Sequence, residues 1–108
     1  MIPARISPAA ANDLLDIADY LEEESFSIAL GRAFLKKAAA TVARIESNPE
    51  LGRIRPSSRQ NLSGLRSLGI DNPFSKYLVF YRIDTKEILV VRVLHGSQDL
   101  KKIIKLVS

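Results

Sequence analysis

The chain lacks cysteine and tryptophan, and it has a single histidine among its 108 residues. Without cysteine it can form no disulfide bond and it offers no thiolate nucleophile. One histidine is a poor ligand set for a metal ion, so we expect no metal site and no other cofactor. The scarcity of these residues argues against metal-dependent, redox and cysteine-dependent chemistry.

Long apolar runs are also missing from the sequence. No stretch of about 18 consecutive apolar residues occurs, so we expect neither a membrane-spanning helix nor a membrane partner. The sequence shows no signal-peptide pattern, and together with the lack of cysteine this favours a cytoplasmic location.

Aromatic residues make up only 6% of the chain. Tyr77, Phe80 and Tyr81 lie in strand-like segments, where the core needs them. Few aromatic side chains therefore remain to stack on bases. Arginines could still bind phosphates, but composition alone gives weak support to nucleic-acid binding.

The rest of the composition is that of a globular protein, with 46% hydrophobic and 26% charged residues. The length fits one domain, which we place at residues 1–108. Residues 1–52 hold five Lys/Arg and eight Asp/Glu, a net charge of −3, whereas residues 53–108 hold eleven and four, a net charge of +7. The asymmetry indicates that the second half meets an acidic partner, unless its charge only keeps the surface solvated.

Two amphipathic helices are predicted in the first half. Ser7 and Pro8 form a helix start. Apolar residues then recur at helical spacing, at Leu14, Ile17, Ala18 and Leu21. The opposite face carries acidic residues, at Asp13, Asp16, Asp19 and Glu22. Ser27 is placed to cap a second helix, which "NPELG" (48–52) ends. Its inward positions are expected at Ile28, Phe34 or Leu35, Ala38, Val42 and Ile45.

The second half has the patterns of strands. "RIRPSSRQNLSG" (53–64) has no period and is interpreted as a surface loop. Three strand candidates follow, of which the last two are rich in β-branched and aromatic residues: "LRSLGI" (65–70), "KYLVFYRI" (76–83) and "EILVVRVLH" (87–95). "DTK" (84–86) is short enough for a hairpin turn, and "GSQDLKKIIKL" (96–106) is predicted to form a short helix.

This order predicts an α+β fold, β-α-α-β-β-β with a short C-terminal helix. A small, mostly antiparallel sheet would pack on the two-helix hairpin. The opposite face of the sheet would then be free for a partner.

The segment "RVLHGSQDL" (92–100) places Arg92, His95, Gly96 and Asp99 at the edge of the core. His95 could transfer protons near neutral pH, but no second histidine or serine–acid pair accompanies it, so a turn-stabilising role is the alternative. Arg92 shares its predicted sheet face with apolar residues and needs an anion there. We expect a structural ion pair, with Asp99, Asp84 or Glu87 as its partner, or else a binding role.

The whole chain resembles the ParE branch of the RelE/ParE superfamily of bacterial type II toxin–antitoxin modules. The resemblance rests on the order and spacing of five segments: "SPAAANDLLDIADYLEEES", "NPELGRIRP", "LRSLGI", "YLVFYRI" and "ILVVRVLHGSQDL". It implies the same fold. It also implies a cognate antitoxin that forms a hetero-oligomer with the toxin. The toxin would meet operator DNA only through this antitoxin. The antitoxin's C-terminal segment would fold on the sheet edge and the groove beside the helix pair, against a basic, partly apolar surface.

The superfamily has two main activities, and the resemblance bears on both. RelE-like members cut mRNA in the ribosome, whereas ParE-like members bind and inhibit DNA gyrase without chemistry of their own. Tyr77 stands where many RelE-like nucleases have arginine, and no tyrosine or arginine follows the last strand. These departures favour a toxin that inhibits gyrase and is not an enzyme.

Two sets of site residues follow. For gyrase binding we expect the basic side chains of the second half, namely Arg53, Arg55, Arg59, Lys101, Lys102 and Lys105. The alternative, a ribosome-dependent endoribonuclease, would have to use His95, Arg82 and Arg66. Arg92, His95, Gly96 and Asp99 are interpreted as the structural segment that joins the last strand to the last helix.

Overall fold

The computed structural model of the protein describes residues 1–55 and 64–97. A short strand, β1 (Ala4–Ile6), leads into helix α1 (Pro8–Ser25). The Ser7 hydroxyl accepts the N–H of Ala10 at 3.0 Å, and Pro8 occupies the first turn, as the helix-start pattern predicted. The same hydroxyl donates to the carbonyl of Val91 at 2.9 Å, which fixes the start of α1 to the sheet.

Helix α2 (Ile28–Ser47) runs back along α1 after a turn at Phe26, whose backbone is left-handed at φ 55°. Ser27 takes the capping position, but its side chain makes no capping hydrogen bond. The two helices approach closely at Gly31, where a Cβ atom would lie 2.8 Å from the carbonyl oxygen of Ala18. Ile28 is 64% exposed, so its expected inward position is wrong; the buried stripe of α2 starts at Gly31.

Four further strands complete a mixed sheet: β2 (Arg53–Ile54), β3 (Arg66–Gly69), β4 (Tyr77–Ile83) and β5 (Ile88–His95). Their order is β1-β5-β4-β3-β2, with β1 parallel to β5 and the other pairs antiparallel. The α+β class, the helix pair and the mostly antiparallel sheet are therefore confirmed. The predicted C-terminal helix lies outside the described residues from position 98 onward.

Strand β2 corrects the prediction of a loop over 53–64. Arg53 pairs with Ser67 and Ile54 with Arg66 at the sheet edge. Two residues carry no periodicity, so only the presence of β3 makes this segment a strand. Residues 56–63 of the predicted loop lie outside the described residues.

The main core lies between the helices and one face of the sheet. Phe34 of α2 packs edge-on against Phe74 and Tyr77, with ring centroids 5.4 Å apart in each pair. Val79 and Tyr81 of β4 and Ile88 of β5 are fully buried in the same cluster. Such aromatic pairs add to the hydrophobic contribution of the buried area.

The opposite face of the sheet has a smaller apolar cluster of its own. Leu65, Phe80 and Leu94 are 1%, 1% and 4% exposed. The expectation that this face is free for a partner is therefore wrong at these three positions. Its exposed area lies around them.

A β-bulge changes the faces of β5. Phe80 pairs with Arg92 but Tyr81 pairs with Val90, so Val91 is an extra residue on β5. The alternation shifts by one position there. Val93 continues the helix-facing side of Val90, and Leu94 faces the second cluster. Simple alternation predicts that Arg92, Val90 and Leu94 share one face. This prediction is wrong, because the bulge puts Val90 and Leu94 on opposite faces.

Candidate functional site

The side chain of Arg92 binds Asp13 of α1. The guanidinium Nε and Nη2 donate to the two carboxylate oxygens at 2.6 and 2.8 Å, and the backbone N–H of Val93 donates to the same carboxylate at 2.9 Å. The hydrogen bonds to Asp13 raise the pKa of Arg92. Asp13 thus neutralises the strand cation and satisfies the N–H of Val93 beyond the end of β1.

The expected structural ion pair exists, but its partner differs from the predicted ones. Glu87 instead binds the guanidinium of Arg5 at 3.0 Å. Asp84 accepts the backbone N–H of Thr85 at 2.9 Å in the β4–β5 turn. Asp99 lies outside the described residues. The sequence pattern had placed Asp13 on the exposed face of α1, yet its side chain is only 12% exposed.

A groove of about 620 Å³ lies beside this ion pair, between α1 and the end of β5. Asp13 and Asp16 are its acidic residues, and Ile17 and Tyr20 continue its wall along α1. Tyr20 is 54% exposed. Burial raises the pKa of Tyr77, which lines the groove from β4, and Tyr20 adds to the rise. The helix wall of this groove is acidic.

His95 lines the same groove, at the end of β5. The backbone N–H of Ser97 donates to its Nδ1 at 3.0 Å, and the Ser97 hydroxyl lies 2.6 Å from that nitrogen. The imidazole ring packs edge-on against Tyr77 at 5.1 Å between centroids. Because Nδ1 accepts the N–H of Ser97, the neutral ring carries its proton on Nε2. These contacts are those of a side chain that stabilises the turn after β5.

Gly96 continues that turn, and its N–H donates to the carbonyl of Lys76 at 2.8 Å. A Cβ atom there would lie 3.4 Å from the same carbonyl oxygen. The position therefore tolerates a small side chain in this conformation.

Arg66 and Tyr81 stabilise the segment after α2. Arg66 donates from Nη1 to the carbonyls of Glu50 and Gly52 at 3.2 and 2.9 Å. The Tyr81 hydroxyl donates to the carbonyl of Pro49 at 2.7 Å and accepts the N–H of Gly52 at 2.8 Å. Burial raises the pKa of Tyr81, while the hydrogen bond from Gly52 and the charge of Arg66 oppose the rise.

The three residues of the nuclease hypothesis are not brought together. His95 is opposite Tyr77, and Arg66 is opposite Tyr81 on the far side of β4. Four residues along a strand and two strands across correspond to about 16 Å between their Cα atoms. Arg82 follows Tyr81 along β4 and so belongs to the other face of the sheet.

Arg5, Arg53, Arg55 and Arg82 are the arginines that the described strands place on the sheet face opposite the helices, and Arg5 is paired there with Glu87. We call the surface formed by Arg53, Arg55 and Arg82 the arginine face. Arg53 is opposite Ser67, which is opposite Phe80 of the second cluster. Arg55 follows two residues after Arg53, and its Nε donates to the Ser67 hydroxyl at 2.7 Å. Of the gyrase-binding candidates, Arg53 and Arg55 thus lie on one face, and Arg59, Lys101, Lys102 and Lys105 lie outside the described residues.

Two features of the candidate site were not predicted from the sequence: the role of Asp13 and the grouping of the arginines. Asp13 lies three residues after the buried Ala10 and four before Ile17, so it falls on the edge of the apolar stripe of α1. A carboxylate at that spacing is the signal that could have indicated a buried ion pair. The grouping of Arg53, Arg55 and Arg82 depends on strand pairing, for which the sequence has no local signal.

The described parts of the chain hold neither a metal-binding cluster nor a membrane-spanning helix. Within residues 1–55 and 64–97, no cluster of three or more His, Asp or Glu side chains could hold a metal ion. Neither helix there has the combination of length and apolar character that crossing a membrane requires.

Comparisons with known proteins agree with this architecture. A chain of the chromosomal ParDE toxin–antitoxin system of P. aeruginosa superposes with a TM-score of 0.70 at 21% identity, over 88% of this chain and 96% of that one. A chain of the RelBE2 toxin–antitoxin complex of Mycobacterium tuberculosis superposes with a TM-score of 0.51 at 21% identity, over 87% and 96%. These similarities show a shared fold. No curated protein matches the sequence significantly.

The family follows from the sequence as a whole. Residues 4–100 match the model of the ParE toxin of type II toxin–antitoxin systems. That match spans nearly the entire chain and includes the two helices and five strands of the described residues. The protein is a toxin of the RelE/ParE superfamily and belongs to the ParE toxin family.

Proposed function

We propose that this toxin is held inactive by a cognate antitoxin and inhibits DNA gyrase by binding rather than by catalysis. The observation that carries the proposal is the arginine face, which concentrates positive charge without assembling a catalytic set. The other described candidates, His95 and Arg66, make structural contacts with Ser97 and with the carbonyls of Glu50 and Gly52.

The test of the target is a supercoiling assay with purified gyrase. We expect the toxin to block supercoiling or to trap linear DNA. A double variant, Arg53→Glu with Arg55→Glu, should raise the concentration needed for inhibition at least tenfold. The matched control is Arg32→Glu with Lys36→Glu, since both residues are exposed on α2 and the charge change is the same.

Unchanged supercoiling at a large molar excess of folded toxin would refute gyrase as the target. Cleavage of ribosome-bound mRNA would then be measured with the wild type and with His95→Ala. Under our proposal the wild type leaves the mRNA intact. Cleavage that His95→Ala abolishes, with fold and antitoxin binding retained, would establish the nuclease alternative instead.

The antitoxin is assigned to the groove beside α1. Asp16 makes no ion pair with any described residue, while Ile17 and Tyr20 offer apolar area beside it. An antitoxin segment with a lysine or arginine next to an apolar side chain would match this wall. Antitoxin binding there would also leave the arginine face on the other side of the sheet uncovered by that segment.

Asp16→Lys tests this assignment against Asp19→Lys, because Asp19 is exposed on the same helix but does not line the groove. Binding of the protein encoded by the neighbouring gene would be measured by calorimetry. We expect Asp16→Lys to weaken binding at least tenfold and Asp19→Lys to change it less than twofold. Equal affinities for both variants would place the antitoxin elsewhere on the toxin.

A further inference from the structure

The two helices carry charges of opposite sign. Helix α1 holds six acidic residues and neither lysine nor arginine, namely Asp13, Asp16, Asp19, Glu22, Glu23 and Glu24. Helix α2 holds one glutamate and four basic residues, namely Arg32, Lys36, Lys37 and Arg44. Asp13 binds Arg92 of β5, and Arg44 binds Asp71, so neither ion pair joins the helices. The other charges listed here make no ion pair with a described residue.

Part of both charges lies on the side of the helix pair that faces away from the sheet. The α1 positions on that side recur at helical spacing, and all except the half-buried Glu22 are exposed: Asn12, Leu15, Asp19, Glu22 and Glu23. The α2 positions lie opposite the buried Phe34 and Thr41 and are also exposed: Arg32, Lys36, Ala39 and Ala43. We call this surface the outer helix face. It has an acidic row on α1 beside a basic row on α2.

Large apolar side chains are exposed on the same side of the molecule. Leu15 is 57% exposed in the middle of α1, and Ile28 is 64% exposed at the start of α2. Phe26 is 96% exposed in the turn between the helices, where its φ of 55° lies in the region that favours glycine. A strained backbone at an exposed aromatic residue, next to further exposed apolar area, is typical of a surface that binds a partner.

The acidic and basic rows lie at matching heights along the helices. Helices α1 and α2 are antiparallel, and Ala18 lies beside Gly31 where they approach. Asp19 is therefore within about 3 Å of Arg32 along the helix axis. Both side chains leave their helices on the outer side, and packed helix axes are about 8–10 Å apart. The two charges thus stay unpaired within one chain although they are level with each other.

We propose that the outer helix face binds a second copy of this chain in a two-fold symmetric dimer. An axis parallel to the helices would lay α1 of each copy on α2 of the other, as in an antiparallel four-helix bundle. Rotation about this axis keeps heights unchanged, so Asp19 of one copy would lie opposite Arg32 of the other. An axis across the helices would lay α1 on α1, and its like charges would repel.

The size of the outer helix face indicates a weak dimer. Helices of 18 and 20 residues are about 27–30 Å long. With their axes about 10 Å apart, the pair covers roughly 550 Å² per copy, or about 1,100 Å² in total. This is the lower end of the range for specific interfaces. Leu15 would supply apolar contact at its centre, and Ala39 and Ala43 leave room for a close approach of the helices.

The dimer is independent of the proposed function. The arginine face lies on the opposite side of the sheet, and the groove is lined by other α1 positions, at Asp13, Asp16, Ile17 and Tyr20. Substitutions on the outer helix face therefore leave both surfaces unchanged. The dimer is measured with the toxin alone, so the gyrase assay can fail while the dimer forms, and the reverse.

The first test is sedimentation velocity of the isolated toxin over a range of concentrations. We expect reversible dimerisation with a Kd of about 1–100 µM at low salt. The affinity should fall at high salt, because exposed charge pairs are screened. A toxin that remains monomeric at about ten times the upper end of that Kd range, in low salt, would overturn the inference.

Two charge reversals test the arrangement of the copies. Asp19→Arg and Arg32→Asp should each weaken dimerisation at least tenfold, because each places like charges opposite one another. A mixture of the two variants should form a heterodimer, since both of its contacts again join opposite charges. The double variant Asp19→Arg with Arg32→Asp should dimerise like the wild type. Dimers that persist in both single variants, or a mixture that stays monomeric, would refute this arrangement.

Matched controls separate the outer helix face from net charge. Glu50→Arg and Lys86→Asp make the same charge changes at exposed positions outside the helices. We expect each control to change the Kd less than twofold. Losses equal to those of Asp19→Arg and Arg32→Asp would show that net charge governs association, and would overturn the inference.

Cross-linking gives an independent measurement, because the chain has no cysteine of its own. Leu15 lies one helical turn before Ala18, which contacts α2, so it is close to the proposed axis. Leu15→Cys should therefore give a covalent dimer with a short thiol-specific cross-linker. Lys86→Cys, with its exposed thiol in the β4–β5 turn, should remain monomeric. Equal cross-linking of the two variants would indicate random collision and contradict the dimer.

Discussion

The carboxylate of Asp13 binds both the guanidinium of Arg92 and the backbone N–H of Val93, so one side chain of α1 joins the helix to β5. The side chain of Asp13 is 12% exposed and that of Arg92 is 21% exposed. A bidentate, partly buried pair that also satisfies a strand N–H is stronger than a surface ion pair. It fixes the wall of the groove to which we assign the antitoxin.

Replacing Asp13 by alanine should therefore destabilise the toxin. Arg92 would keep its charge without a partner and the N–H of Val93 would lose its acceptor, at a cost of about 2–4 kcal/mol. The measurement is the free energy of unfolding in urea, followed by circular dichroism. Asp16→Ala is the control, since this exposed carboxylate should change that free energy by less than about 0.5 kcal/mol. Equal stability of the two variants would contradict the structural role of Asp13.

The sequence was sufficient for the elements that are long and periodic. The apolar stripe of α1, the start at Ser7 and Pro8, and strands β4 and β5 all follow from local patterns. Helix α1 buries one face, whereas β4 and β5 bury residues on both faces, and their apolar patterns reflect this burial. The α+β arrangement then follows because the helix pair has one sheet to cover.

The sequence was not sufficient for features of the structure that depend on pairing between distant segments of the chain. Strand β2 exists because Arg53 and Ile54 pair with β3, and two residues have no period. The bulge at Val91 shifts the faces of β5 without a local signal. For the same reason the ion pair of Asp13 and Arg92, 79 residues apart, and the grouping of the arginine face became visible only in the fold.

Gly52 lies against the ring of Tyr81, and this contact explains the glycine of "NPELG". A Cβ atom at position 52 would lie 2.5 Å from the Tyr81 hydroxyl oxygen and 2.7 Å from a ring carbon. Gly52→Ala should therefore displace the tyrosine and cost about 2–3 kcal/mol of stability. Thermal unfolding checks this, with Gly96→Ala as control, for which we expect a loss of less than about 1 kcal/mol. A larger loss in Gly96→Ala would contradict the close contact at Gly52.

The hydroxyl of Tyr81 has a role separate from that of its ring. It donates to the carbonyl of Pro49 and accepts the N–H of Gly52, so Tyr81→Phe leaves both backbone groups without that partner. We expect a loss of about 1–3 kcal/mol in the free energy of unfolding. Hydrogen exchange should show faster exchange of the Gly52 amide in the variant, and unchanged exchange of the Val93 amide. Unchanged protection of Gly52 would mean that the hydroxyl does not hold this segment.

The raised pKa values of Tyr77 and Tyr81 make stability sensitive to alkaline pH. Burial favours the protonated phenol in the folded state. Above about pH 10 the unfolded chain loses these protons while the folded protein retains them, so the unfolded state binds fewer protons and stability falls as pH rises. The contribution is fully present below about pH 10. Tyr81→Phe removes one of the two groups, so its free energy of unfolding in urea should fall less between pH 9 and pH 11 than that of the wild type. Lysine titration is common to both proteins and cancels in the comparison, so identical falls would show that Tyr81 keeps an ordinary pKa in the folded toxin.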